Sequence, residues 1–186
     1  MRFGSDWMRK SRLIPLLATV TLAGCASGVT VAPVHRVAAY TGHEYDLAAA
    51  AGDFTTVVVG NPFGGDNAVF ARRVTTLLNE QNALQRTNFT TQPGPAARKQ
   101  FRLVLVFNSP RASEHSLCED PQALRGGPAG VTPITVQAAF CNGAASMIDV
   151  YALAAGGEEA QFRALIGQVQ LAVFPSRQGI GFAGIN

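Results

Sequence analysis

An α+β fold, with a largely antiparallel sheet of about four strands and two helices on one face, is predicted by three features of this 186-residue sequence. Two stretches place apolar residues at helical spacing: Phe70, Val74, Leu77 and Leu78, then Phe162, Leu165, Ile166, Val169 and Val173. A β-branched run from Thr55 to Val59 and an apolar run from Phe101 to Phe107 are short, bounded by turn-forming residues, and read as strands. Two alternating runs flank Asn142-Gly143, a dipeptide that favours a hairpin because a type I′ turn needs positive φ at both central positions. The order reads strand, helix, strand, strand, helix, with a further strand where the amino-terminal region contributes.

Residues 25–52 are small, apolar and poor in charge, with Pro33, Gly42 and the run Ala48 to Ala51, and read as a tether. Val29 and Val31 fit one short strand, which Pro33 confines to an edge or a bulge. The domain is expected over residues 53–174. Its first strand lies between Gly52-Asp53 and Gly60-Asn61-Pro62, and Asp66 is a natural N-cap for a helix reaching Asn82. Arg72, Arg73, Asn79 and Glu80 fall on the other side of that helix and read as its solvated face. Thr87 to Ala96 reads as a loop. The run from Phe101 to Phe107 is apolar on both sides, the mark of a central strand, and Asn108 to Val131 is irregular. Thr132 to Cys141 and Ala145 to Ala154 form the hairpin. Gly156 and Gly157 end it, the second helix follows, and Pro175 stops that helix before a Gly-rich tail over residues 175–186. Leu103, Leu105, Val136 and Phe140 should meet both helices on one sheet face.

The candidates for chemistry are few. Gly60-Asn-Pro-Phe-Gly-Gly-Asp66 joins a strand to a helix, where anions can bind, but it lacks the Gly-Lys-Ser/Thr of a phosphate loop, and Asp66 puts a carboxylate where the anion would sit. It reads as a capped turn exposing Phe63, a candidate partner contact. His115 beside Ser116, with Glu114, Glu119 and Asp120 near, holds the residue types of a base and a nucleophile, yet no Gly-x-Ser-x-Gly elbow occurs, so a polar loop tip is expected and no catalytic residue is assigned. The alternative is a lipid-anchored hydrolase using His115 with Ser116. His35, His43, Glu44 and Asp46 lack a spacing that presents two metal ligands together, and no cofactor or metal is expected.

Leu13 to Ala23 is an 11-residue apolar run behind the basic cluster Arg9, Lys10 and Arg12, and it closes on Leu22-Ala23-Gly24-Cys25. It is about half the length of a membrane span and has the order of a secretion signal over residues 1–24, with Met8 an alternative start. The segment resembles the lipobox signal of bacterial lipoproteins. That resemblance implies cleavage before Cys25, a diacylglycerol on its thiol and acylation of the new amino terminus. Ala26 and Ser27, in place of the aspartate that commonly retains such proteins in the inner membrane, imply the outer membrane facing the periplasm. The strand and helix order over Thr55 to Phe174 is also loosely similar to the small α+β domains of periplasmic assembly lipoproteins.

Removing residues 1–24 leaves 162, enough for one core. It also removes four basic residues and one acidic residue, so that 15 basic against 12 acidic becomes 11 against 11. The basic isoelectric point belongs to the signal, and nucleic acid is not an expected partner. Cys118 and Cys141 remain as an even pair in an exported chain, where a disulfide is expected; a zinc site with His115 would lack further ligands. The function expected is that of a non-catalytic, lipid-anchored envelope protein whose periplasmic domain binds or assists another envelope component.

Overall fold

The computed structural model describes residues 28–32, 35–37, 40–82 and 87–174, without the side chains of residues 114 and 115. The expected signal, Cys25 and the tail over 175–186 lie outside the described residues. The elements are β1 (Val29–Val31), β2 (His35–Arg36), α1 (His43–Ala49), β3 (Asp53–Val59), α2 (Asn67–Glu80), β4 (Asn88–Thr90), β5 (Phe101–Phe107), α3 (Glu114–Glu119), β6 (Ile134–Asn142), β7 (Ala145–Ala154) and α4 (Glu159–Val173).

This corrects the expected architecture. The sheet has seven strands in the order β1-β7-β6-β5-β3-β4, with β2 also on β7, and it is mixed: β3 runs parallel to both β4 and β5, and the remaining pairs are antiparallel. The parallel pairs arise because α2 lies in the connections that leave β3, and a helical crossover returns the chain in the same direction. Among the described residues there are four helices rather than two. The stretch expected as a tether supplies β1, β2 and α1, and the expected loop after Thr87 opens with β4.

The central placing of Phe101–Phe107 is observed: β5 lies between β6 and β3. So is the hairpin, although its turn differs. Only Gly143 takes positive φ there, and Met147 is the extra residue of a bulge, since Phe140 pairs with Ile148 while Cys141 pairs with Ser146.

The two sheet faces are covered differently. On one, Phe70, Val74 and Leu77 of α2 and Phe162, Leu165, Ile166 and Val169 of α4 bury against Leu103, Leu105, Val136 and Phe140. α1 joins this layer: the Tyr45 ring lies 4.4 Å from Phe174 and 5.8 Å from Phe54. Burial raises the Tyr45 hydroxyl to a pKa of about 12. α2 and α4 run side by side, joined by Gln170 Nε2 to Leu78 O (3.2 Å) and Arg163 Nη1 to Glu80 Oε2 (2.6 Å).

Among the described residues, the other face is covered by α3 and the strandless segments around it up to β6. Val104, Val106, Ala139, Leu117, Cys118 and Cys141 form its small core. Ser113 caps α3 by accepting from Ser116 N, and the Cys118–Cys141 disulfide, with Cα atoms 5.5 Å apart, fastens the helix to β6. The Gln137 amide clamps Ala112 from both sides, donating to its carbonyl (2.8 Å) and accepting from its N–H (2.9 Å). Arg102 donates Nη2 to Cys118 O, and burial lowers its pKa. The stretch from Asn108 to Val131, expected to be irregular throughout, contains α3, and specific polar clamps hold it.

Candidate functional site

The segment between β3 and α2 is a hydrogen-bonded turn beside an exposed apolar surface. Asn61 organises it: its Nδ2 donates to Gly64 O (2.7 Å) and its Oδ1 accepts from Phe63 N (3.0 Å). Asp66 accepts from Val69 N (2.8 Å), as expected of an N-cap, so the carboxylate occupies the helix amino terminus. A bound anion there would face that charge.

The turn is flanked by two open clefts. One, of about 310 Å³, is lined by Asn61, Phe63, Asp66, Val69, Phe70 and Arg73. Phe63 is 39% exposed; its ring meets Phe162 edge-on at 5.0 Å and Phe70 at 6.0 Å. Arg73 lies over it, with the guanidinium 4.5 Å from the Phe63 centroid and 4.7 Å from Phe162, and also pairs with Glu159. The expectation that Arg73 belongs to a purely solvated face is thus corrected. Its guanidinium lies over two aromatic rings that meet edge-on.

The second cleft, of about 420 Å³, is bounded by Gly60, Asn61, Gly64, Arg125, Gly126 and Gly127. Two backbones touch in its wall. Gly60 has φ +81°, and a Cβ on Gly126 would lie 2.1 Å from Gly60 Cα, so both positions require glycine. Gly127 N–H donates to Phe107 O (3.0 Å) and Gly130 N–H to Pro62 O (2.8 Å), which docks the far loop against the turn. Arg125 directs its guanidinium at the carbonyls of Gln122, Ala123 and Leu124.

The other residues singled out by sequence do not converge. Ser116 lies in α3, where its hydroxyl is 2.7 Å from Ser113 Oγ, within the helix cap rather than against a base; the His115 side chain is outside the described residues. Glu44 accepts from Thr41 at the start of α1 (3.3 Å). Asp120 accepts from Ala123 N (3.2 Å). His35 faces the mostly buried Asp149 across β2 and β7 (3.3 Å), a pairing that sequence reasoning missed because β2 is two residues long. Cys118 is consumed by the disulfide, which removes the zinc reading. Among the described residues no group of three or more His, Cys, Asp or Glu is placed to hold a metal ion, and no helix is long and apolar enough to cross a membrane.

Sequence reasoning found Phe63 and Asp66 but not Arg73, Gly126 or Gly127. The adjacent glycines of the long loop were the available signal for a close backbone approach.

No family model matches the chain, and no curated protein matches it. Among solved structures, it is similar to a PelC dodecamer from Paraburkholderia phytofirmans, at 16% identity and a TM-score of 0.43, over 81% of this chain and 99% of that one. A likeness of that degree supports no statement about how this chain folds or acts.

Proposed function

We propose that this chain is a non-catalytic envelope lipoprotein, acylated at Cys25 and anchored in the outer membrane, whose periplasmic domain binds or assists another envelope component. The observation that carries this reading is the basic cluster and apolar run closing on Leu22-Ala23-Gly24-Cys25. The pairing of Cys118 with Cys141 supports it, because such bonds persist in oxidising compartments outside the cytosol. Three acyl chains exceed the single chain that gives only marginal membrane binding, so the attachment is stable.

Mass spectrometry of the amino-terminal peptide from the membrane fraction tests the anchor. A diacylglyceryl, amino-acylated Cys25 is expected, and Cys25→Ala should leave an uncleaved or soluble chain. Normal processing and membrane retention of that variant would overturn the reading.

A further inference from the structure

Strand direction gathers one end of the domain around the point where the described chain enters it. β1 is antiparallel to β7, β7 to β6 and β6 to β5, while β3 is parallel to β5. The starts of β1 and β6, the finishes of β3, β5 and β7, and the amino ends of α2 and α4 therefore share one end. Contacts join them: Ala155 N–H donates to Gly28 O (2.8 Å), and a Cβ on Gly157, two residues further on, would lie 3.3 Å from the Phe63 ring.

This end is apolar. Phe63, Val69 and Val131 are 39%, 56% and 45% exposed, three of the four large hydrophobic residues exposed among the described residues. Its acids are Asp66, engaged in the helix cap, Glu159, paired with Arg73, and Glu158. The opposite end holds the Asn142-Gly143 turn with the exposed Arg98 and Lys99, close to that turn through the bond from Gly143 N–H to Gln100 O (2.7 Å).

An exposed apolar patch does not by itself name its occupant; here the length of chain to the anchor does. Gly28 follows Cys25 by three residues, which span at most about 11 Å even fully extended. A lipid-bearing Cys25 sits in the interfacial layer, where apolar side chains enter by about 5–10 Å. The end of the domain that carries Gly28 is thereby held within reach of the headgroups, and the residues it exposes there are Phe63 and Val131.

Resting on the lipid anchor proposed above, we infer that the Phe63–Val69–Val131 end of the domain is a membrane-docking surface, seated on the bilayer that holds Cys25. The strands then stand away from the membrane, and the hairpin end with Arg98 and Lys99 projects into the aqueous phase. The docking end sets Asp66, Glu158 and Glu159 against Arg73, which pairs with Glu159, and the exposed Arg125, so it presents no excess of positive charge, the attraction is apolar, and zwitterionic phosphatidylcholine is sufficient.

The test uses the acylated chain reconstituted in phosphatidylcholine vesicles. Removal of residues 1–24 takes Trp7, the only tryptophan, so a single introduced tryptophan reports alone. Phe63→Trp and Val131→Trp should emit at shorter wavelength and lose at least about half their emission to brominated phosphatidylcholine, as expected for a side chain at the headgroup–acyl boundary. Lys99→Trp should be unaffected. Val131 is outside the buried core, so its variant keeps the test decisive if Phe63→Trp folds poorly. With acylation verified by mass, an unquenched Val131→Trp overturns the docking surface and leaves the anchor standing. Shielding from aqueous acrylamide only in native envelopes, without quenching by brominated lipid, points to a protein occupant and overturns it as well. A chain without acyl groups at Cys25 overturns both.

Discussion

The two faces of the sheet are stabilised by different means. The face under α1, α2 and α4 is a continuous apolar layer rich in aromatic rings, in which Phe162 touches Phe63, Phe70 and Phe107. The face under α3 has a small apolar core, and its cover is held by a disulfide, the Gln137 clamp and the Arg102 bond to Cys118 O. Where long amphipathic helices are available, burial suffices. Where the cover is a six-residue helix and a loop, directional bonds and a covalent link replace it, since a helix that short is marginal alone.

Phe162→Ala should test the apolar face most severely. The side chain is fully buried, and its loss should cost about 3–5 kcal/mol through transfer and cavity terms, read by chemical denaturation. A loss below about 1 kcal/mol would mean that the layer collapses around the gap and is less tightly packed than described.

On the other face, Cys118→Ser with Cys141→Ser should cost about 3 kcal/mol, the loop-closure entropy for cysteines 23 positions apart. Faster hydrogen exchange should concentrate in Ala112–Glu119, while α2 and α4 keep their protection until global unfolding. Equal loss of protection over both faces would erase the distinction between them. In the unreduced, denatured chain neither cysteine should take a thiol label.

Arg73→Ala sharpens the boundary of the apolar face. Treated as a solvated position it would change stability by no more than about 0.5 kcal/mol. As a partly exposed lid over Phe63 and Phe162 it should cost about 1 kcal/mol, and Arg73→Lys should restore little because a compact ammonium makes less contact with the two rings than the broader guanidinium does. A neutral Arg73→Ala would return the residue to the solvent.

The smallest effect is expected at the sheet edge, where neither device operates. Hydrogen bonds from the Asn88 side chain and the Gly94 backbone hold the Asp53 carboxyl below its ordinary pKa. A depressed carboxylate contributes stability that is present above its unfolded pKa and is lost as pH falls through the folded one. The melting temperature should therefore decline on acidification below about pH 4, and Asp53→Asn should flatten that decline. An unchanged acid profile in the variant would exclude Asp53 as a source.

What was legible in the chain follows the same division. The faces of α2 and α4 and the core strands could be read because periodicity over seven or more residues is a local property, and each element satisfies it alone. Phe63 was found as a large apolar residue among glycines, and Cys118 and Cys141 as an even pair. Arg73 was misread because it was grouped with the exposed Arg72, although at i+3 from Phe70 it borders the apolar stripe, and nothing local reveals that Phe63 and Phe162 arrive beneath it.

By itself, then, the sequence determined the long elements, the central position of Phe101–Phe107, the N-cap at Asp66 and the paired cysteines, each a matter of neighbouring residues and their chemistry. Tertiary structure decided the mixed sheet, since β1, β2 and β4 are two or three residues long and exist as strands only because β7 and β3 offer them free backbone groups. It also decided α1, whose sequence His43-Glu-Tyr-Asp-Leu-Ala-Ala49 is too short to be stable alone and is held by burial of Tyr45 beside Phe54 and Phe174. The gathering of Gly28, Phe63 and Val131 at one end has the same origin, because strand direction is fixed by pairing across the sheet and not by any residue's neighbours along the chain.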